Sequence, residues 1–545
     1  MKQLRIFLAA SLLMVFACKK TEQPVVPTVP VPTITSLSAT SAIAGDVVTI
    51  TGTNFTNATS VTFGGVAASA YTVNSATSIT ATVAAGSGSG DVAVTTPGGI
   101  GKLSGFSFIG VGARIDVRGT ITANTTWKKD YVYRLRGYVY ILSGATLTIE
   151  AGTKIVSNKD SAGVLIITPD AKIAADGTSS APIVFTSAEA NPAPGDFGGV
   201  VLAGNAKVNG NHAVIEGGLD VRYQSFGGNN DADNSGILRY VRIEYAGKAV
   251  NPGDEVNGLS LYGVGSGTTL DYIQISRGYD DGLEIFGGTA NLKHVVVYNC
   301  ADDDFDFDDG YRGKIQYAIS FRDPAFTDPK GTSGDVSNNF EVDNVNPSNG
   351  FTLNRSPITS PVLSNFTAIG PNSAAGVNGT SADYGWGMRW RRGAQFILAN
   401  SVVLGSAKDA FRVQEDSTIA YFLRGSSLLQ NCYIGDQAKT FAIADKYSAS
   451  ASPYNIAGFP SYDLVTIKST YAATGTVEVS DVSILKLTSP FTVAAPNLNP
   501  QAGSPLLSGA TFAPTKLTDA FFDKVSFVGA IGTSDWTVGW TKWGL

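Results

Sequence analysis

Asp280-Asp281-Gly282-Leu283-Glu284-Ile285-Phe286-Gly287-Gly288 is echoed, 22 residues on, by Asp302-Asp303-Asp304-Phe305-Asp306-Phe307-Asp308-Asp309-Gly310. Asp falls on Asp twice, a large apolar residue on a large apolar residue twice, and Glu284 on Asp306. Self-similarity at a fixed period marks repeat architectures, and about 22 residues is roughly one coil of a parallel β-helix. Stacked coils place equivalent strands about 4.8 Å apart. The aligned carboxylates therefore form an acidic ladder, which needs a cation, basic partners or abundant water.

Side chains alternate across a strand. With Leu283 and Ile285 inward, Glu284 and Phe286 point out. One coil later Phe305 and Phe307 point in, while Asp306 and Asp308 point out. Asn338-Asn339-Phe340-Glu341-Val342-Asp343 fits the same template, with Glu341 over Asp306 and Asp343 over Asp308. Leu259-Ser260-Leu261-Tyr262 places Ser260 beneath Glu284, and Phe411-Arg412-Val413 brings Arg412 near the far end. Unit charges about 5 Å apart repel by about 0.8 kcal/mol in water, and by more where water is excluded. Such a column raises its own pKa values or recruits a cation. Oxygen ligands without His favour a hard cation such as Ca²⁺. The candidate ligands are Glu284, Asp306, Glu341, Asp308, Asp343, Asp281 and Asp303, although the run does not fit the EF-hand spacing. The competing reading is a solvated acidic face answered by Arg312, Lys314 and Arg412.

The same pattern extends over residues 109–545. Short strands such as Gly144 to Thr153, Val164 to Ile167, Lys172 to Thr178 and Leu238 to Glu244 alternate with Gly, Asn and Asp turns. No segment carries a convincing helical period. Strands this short bury no face alone, whereas stacking buries a continuous core. A β-propeller is the runner-up, and it lacks a consistent blade repeat. Leu238-Arg239-Tyr240-Val241, Leu270-Asp271-Tyr272-Ile273 and Leu292-Lys293-His294-Val295 align, so Tyr240, Tyr272 and His294 form an outward column. It reads as a platform for sugar faces or as an aromatic ladder that stabilises the solenoid. Tyr384 to Gly393 is the densest aromatic and basic run. Alternation puts Trp386, Met388 and Trp390 on one face and Arg389 and Arg391 on the other. Trp386, Trp390, Arg389 and Arg391 are therefore candidate glycan ligands, or core tryptophans beneath a cationic rim that pairs with the acidic ladder.

The chain has 545 residues, 61 of them Gly, with 15% charged residues and a net charge of −6. This composition suits an extracellular all-β protein and argues against a nucleic-acid partner, which selects a basic face. Only 2 His residues argue against a His-based metal site or a Ser-His-Asp triad. Residues 1–17 read as a signal peptide, with Lys2 and Arg5 ahead of the apolar run Ile6 to Phe16. Residues 18–31 read as a semi-rigid tether through Pro24, Pro27 and Pro30. Residues 32–108 read as a small sandwich whose inward positions include Ile34, Val48, Ile50, Val61, Phe63, Ile79, Val83, Val92 and Val94. Cys300 and Cys432 are either a disulfide pair or small buried hydrophobes.

Three resemblances add to this reading. Val15-Phe16-Ala17-Cys18 resembles the lipobox of bacterial lipoproteins, which implies lipidation at Cys18 and a membrane anchor. Lys19 and Lys20 in place of the Asp linked to inner-membrane retention imply the outer membrane, with the cell surface as the favoured side. Pro32 to Leu37, Gly45 to Phe55 and Val61 to Val66 resemble the IPT/TIG immunoglobulin-like family, which implies a spacer or binding module. Residues 109–545 resemble right-handed β-helix lipoproteins of Gram-negative polysaccharide degraders, with Gly503 to Leu507, Phe527 to Gly532, Trp536, Trp540 and Trp543 as last coils and cap. The expected fold is all-β, a small immunoglobulin-like sandwich followed by a long right-handed parallel β-helix. The expected function is a non-catalytic binding or adhesive module for glycan or surface proteins. The alternatives are a polysaccharide hydrolase or lyase using Asp280, Asp281, Asp302 and Asp303, with Arg277 or Arg312 as a base, and a purely structural protein. Arg312-Gly313-Lys314 is superficially similar to the basic motif of polygalacturonases, but that family's Gly-His-Gly and Asn-x-Asp motifs are absent.

Overall fold

Alternation of apolar and polar residues builds the first unit. In Val47–Thr53, Val48, Ile50 and Gly52 are buried while the residues between them are exposed or half-buried. The structure, a computed structural model, describes residues 29–251, 254–327, 336–372, 382–435, 464–513 and 515–545. The signal segment, Cys18 and most of the tether lie outside the described residues. The chain divides into two compact units, Met1–Ala113 and Arg114–Leu545. In the first, a 4-stranded sheet and a 5-stranded sheet enclose Ile34, Val48, Ile50, Phe55, Val61, Phe63, Ile79, Val83, Val92, Val94 and Phe106. Each fully buried side chain of this kind contributes roughly 1.5–3 kcal/mol.

The second unit is a stack of coils. Among the described residues, 25 of its strands form one sheet, paired in parallel from coil to coil, and two short antiparallel pairs lie outside it. The all-β class read from the sequence is the one found. Two inward columns carry the core. One runs Leu165, Val200, Leu259, Leu283, Phe305, Phe340. The other runs Leu202, Leu261, Ile285, Phe307, Val342, Trp390, Val413. Turn residues are set by the same stacking. A Cβ at Gly282 would sit 2.3 Å from Val297 Cγ1 and 2.8 Å from the Asp304 carbonyl oxygen, so only glycine fits between Asp281 and Leu283.

At one corner, seven successive coils hold a non-glycine residue in the left-handed region: Tyr240 (φ 48°), Tyr272 (53°), His294 (50°), Tyr317 (62°), Asn365 (57°), Asn400 (52°) and Asn431 (50°). That conformation is costly for tyrosine, and stacking offsets the cost. The rings of Tyr240 and Tyr272 lie 4.3 Å apart, Tyr272 and His294 4.2 Å, and His294 and Tyr317 4.9 Å.

The C-terminal segment does not close the stack as the expected cap of last coils. It runs along the side of the coils, held by side-chain amides that imitate strand pairing. Gln316 donates to the Asp523 carbonyl (2.9 Å) and accepts from its N–H (2.8 Å), and Gln274 does the same with Lys542 (2.9 and 2.8 Å). Asn400 pairs with Thr511 in the same way (3.0 and 2.8 Å).

Cys300 and Cys432 are buried free thiols, so the disulfide alternative does not hold. Burial pushes the Cys432 thiol up to about 12, consistent with inert packing.

Candidate functional site

The column expected from alternation is present in register: Ser260, Glu284, Asp306 and Glu341 pair coil over coil, and Arg389 and Arg412 continue it. A second column flanks it. Asn257, Asp281, Asp303 and Asn338 occupy equivalent coil positions, each two residues ahead of the first strand residue, as the ladder bonds Gly258 N–H to Asp281 O and Gly282 N–H to Asp303 O show.

Of the two readings of these carboxylates, the solvated acidic face is the one the structure corrects. Asp281, Asp303, Asp308, Glu341 and Asp343 are buried, and Glu284 and Asp306 are half-buried. The strand-free stretch 204–235 covers the part of this face around Asp308 and Phe286. Ile215, Leu219, Tyr223 and Phe226 from it pack with Val201, Tyr262 and Phe286. Phe286, outward by alternation, stacks on Tyr262 at 4.1 Å. The anchor of this cover is His212. Its Nδ1 lies 2.9 Å from Asp309, its Nε2 lies 3.6 Å from Glu216, and its ring meets Phe286 edge-on at 5.0 Å. Burial opposes a charge on His212, but the hydrogen-bonded Asp309 and nearby Asp308 hold its pKa up to about 9.

The acidic column changes character along its length. At the far end Arg389 Nη1 reaches Glu341 at 2.8 Å, Arg391 bridges Glu341 and Asp343, and Arg392 Nη1 meets Asp343 at 2.7 Å. In the middle no such cation intervenes between Asp281, Glu284 and Asp306 among the described residues. One oxygen from each lies within 4.8 Å of the others. Burial, followed by mutual repulsion, pushes all three well above the usual carboxylate range. Asp281 accepts from the Asp303 N–H at 2.8 Å, and Glu284 accepts from the Asn257 amide. On these coils the buried Ser260 Oγ, Asn257 Oδ1 and Asp306 Oδ1 make no hydrogen bond among the described residues. Asp303, Asp306 and Glu341 form a second close group, as do Asp280, Asp281 and Asp302. A set of hard oxygens at this spacing fits Ca²⁺, whose oxygen ligands sit about 2.3–2.6 Å from the ion.

The remaining candidates separate. Arg312 pairs with Asp231 (3.0 Å) and Lys314 with Asp519 (2.7 Å), so neither answers the acidic column. Trp390 belongs to the inner column and stacks on Phe396 at 4.0 Å, which corrects its reading as a ligand residue. Trp386 lies at the rim beneath Arg412 (3.9 Å), Lys408 (4.5 Å) and Arg389 (4.8 Å), a cation–π cluster. Arg389 and Arg391 are engaged by Glu341 and Asp343. Tyr240, Tyr272 and His294 stack as aligned, but their edges are met by tail residues Trp540 (5.8 Å from Tyr240 and from Tyr272) and Trp536 (5.1 Å from His294), so the tail occupies the place of a sugar.

Sequence reasoning missed Asn257, His212, Glu216 and Asp309. Asn257 was within reach: Asn257-Gly258-Leu259-Ser260 is the coil before Asp281-Gly282-Leu283-Glu284. His212 carries no periodic signal, because it meets Asp309 from 97 residues away.

A family model described as the pectate-lyase-like beta helix domain matches residues 119–481, and an IPT/TIG domain model matches residues 32–108. No curated protein matches the chain. Among solved structures, SGBP-B from a complex xyloglucan utilization locus in Bacteroides uniformis matches at 32% identity with a TM-score of 0.13. That match covers 14% of this chain and 22% of the other, too little to bear on the coils.

Proposed function

Because the chain belongs to the family of pectate-lyase-like β-helix domains, we propose that it is a non-catalytic, glycan-binding body of the cell envelope whose acidic column is completed by Ca²⁺. Lipid on Cys18 anchors it to the outer membrane, the Pro-rich segment and the IPT/TIG module act as spacers, and the β-helix carries the ligand at the cell surface.

The observation that carries this reading is the state of the carboxylates. A β-helix hydrolase needs an accessible pair, with one member poised as acid and the other activating water. Here Glu341 and Asp343 are held by Arg389, Arg391 and Arg392, Asp281 is buried, and Asp308 accepts from Asn211 of the 204–235 stretch at 3.3 Å. Such groups fit the role of framework better than that of reagent. The cation supplies positive charge where three carboxylates converge. The residues that would hold it are Asp281, Glu284 and Asp306, with Asn257 and Ser260 offering the neutral oxygens. Buried like charges without a counterion take up protons or open the structure, and Ca²⁺ removes that need.

The test is a polysaccharide panel run with purified mature protein in Ca²⁺ and in chelator, with product analysis on every polymer that binds. Binding without new reducing or unsaturated ends supports the proposal. Turnover replaces it with the hydrolase or lyase alternative, and binding to nothing leaves a structural protein. Membrane fractionation of wild type against Cys18→Ala tests the anchor, with release of the variant as the expected result.

A further inference from the structure

The face that carries the acidic column continues toward the first coils as Tyr140, Ile166 and Val201. There Arg222, Tyr223 and Ser225 of the 204–235 stretch border an open cavity of about 470 Å³, lined also by Thr122, Leu142, Ser143, Thr168 and Pro169. This volume lies within the ~300–1,000 Å³ typical of small-ligand pockets. We infer that this cavity is a subsite for a neutral sugar residue of the glycan, an inference that rests on the glycan-binding reading above.

The chemistry of the lining selects the ligand. A sugar ring presents apolar C–H faces and a rim of hydroxyls, each of which both donates and accepts. Leu142, Pro169 and the half-buried ring of Tyr223 supply apolar wall. Thr122, Ser143 and Ser225 supply hydroxyls at the mouth. Arg222 is fixed against Asp220, with Nη2 at 2.6 Å and Nε at 3.0 Å. This pair leaves Nη1 of Arg222 to donate, and the lining hydroxyls of Thr122, Ser143 and Ser225 to accept, the two roles needed at adjacent sugar hydroxyls.

The wall is also preorganised, which lowers the ordering cost of binding. The Tyr223 ring packs on Tyr140 at 4.9 Å, the Asp220 N–H donates to the Tyr140 hydroxyl at 3.0 Å, and the Tyr138 hydroxyl donates to the Gly217 carbonyl at 2.5 Å. Charge decides between sugar classes. Arg222 is the cation of the lining, and it is matched by Asp220. Asp170, next to Pro169 and held by Asn205 at 2.9 Å, adds negative charge nearby. A uronate carboxylate gains nothing there, whereas a neutral hexose or pentose meets no repulsion.

The experiment is affinity electrophoresis and calorimetry of the mature protein with hydroxyethylcellulose, galactomannan and arabinogalactan as neutral probes, and polygalacturonate as the anionic one. Wild type is expected to bind at least one neutral polymer. Tyr223→Ala, Arg222→Ala and the cavity-filling Thr122→Trp are each expected to weaken that binding by about ten-fold or more, the size of a single good contact. Thr122 is exposed, so Thr122→Trp fills the space without removing core packing, and an unchanged melting curve verifies it. Neutral binding that survives all three substitutions overturns the cavity and leaves the glycan reading standing. Binding confined to polygalacturonate overturns the neutral assignment. No binding to any of the four overturns both.

Discussion

The ladder Tyr240–Tyr272–His294–Tyr317 and the ladder Ser260–Glu284–Asp306–Glu341 are each built from one residue per coil of the same stack, and each is covered by a distant segment of chain. In the aromatic ladder the stacked residues attract, the rings sit 4.2–4.9 Å apart, and the tail tryptophans close over them. In the acidic ladder the stacked residues repel, and among the described residues cations answer them at one end, with Arg389, Arg391 and Arg392. The middle keeps converging carboxylates and oxygens without a hydrogen-bond partner among the described residues. Periodicity alone therefore does not assign a role. The residue type stacked decides whether a ladder is complete in itself or needs something from outside.

The sharpest break of this contrast is Arg391→Ala. Among the described residues it takes one of two cations from each of two buried carboxylates, leaving Glu341 to Arg389 and Asp343 to Arg392, and removing one partner of a buried ion pair costs about 3–5 kcal/mol. Urea unfolding is expected to show a loss of that size, and a loss below about 1 kcal/mol would mean that water reaches these carboxylates. His294→Ala tests the other ladder. It removes ring contacts worth about 0.5–1.5 kcal/mol each, so a loss of about 1–3 kcal/mol is expected with no dependence on Ca²⁺. A Ca²⁺-dependent loss would mix the two roles.

A third comparison uses pH. Burial and the neighbouring Asp309 lift Asp308 to about 6, and burial lifts Asp304 to about 7. Their folded values lie above the ordinary 3.8, so the folded state holds more protons in between. The stability these groups contribute is complete below pH ~4 and is lost as pH rises through about 6 to 7. In chelator the melting temperature is expected to fall over that range, whereas Ca²⁺ flattens the profile. The smallest effect is expected from Glu284→Gln in chelator: a slight rise in melting temperature, because a buried like charge is gone. A fall instead would show that Glu284 serves as a partner rather than as a strained member of the column.

Much of this was legible in the sequence. The inward set Leu283, Ile285, Phe305 and Phe307 follows from alternation and a 22-residue offset, and both are properties of a strand read in isolation. The column Ser260–Glu284–Asp306–Glu341 follows from the same rule. What covers the columns was not legible. His212 meets Asp309 across 97 residues and Trp540 meets Tyr240 across 300, and such contacts obey surface shape rather than period. The left-handed corner was equally hidden: alternation aligned Tyr240 with Tyr272, but the turn that stacks them is a backbone conformation that tyrosine rarely adopts. Alternation leaves Trp390 as either a ligand residue or a core tryptophan beneath a cationic rim, and its pairing with Val342 in the inner column selects the second.

The most direct test of the central claim is a calorimetric titration of the mature, chelator-treated protein with Ca²⁺ at neutral pH, alongside the double variant Glu284→Gln, Asp306→Asn. A saturable heat in the wild type, accompanied by a rise in melting temperature and abolished in the double variant, is the predicted result. A wild type that takes up no Ca²⁺, or a double variant that binds it equally well, would contradict the account.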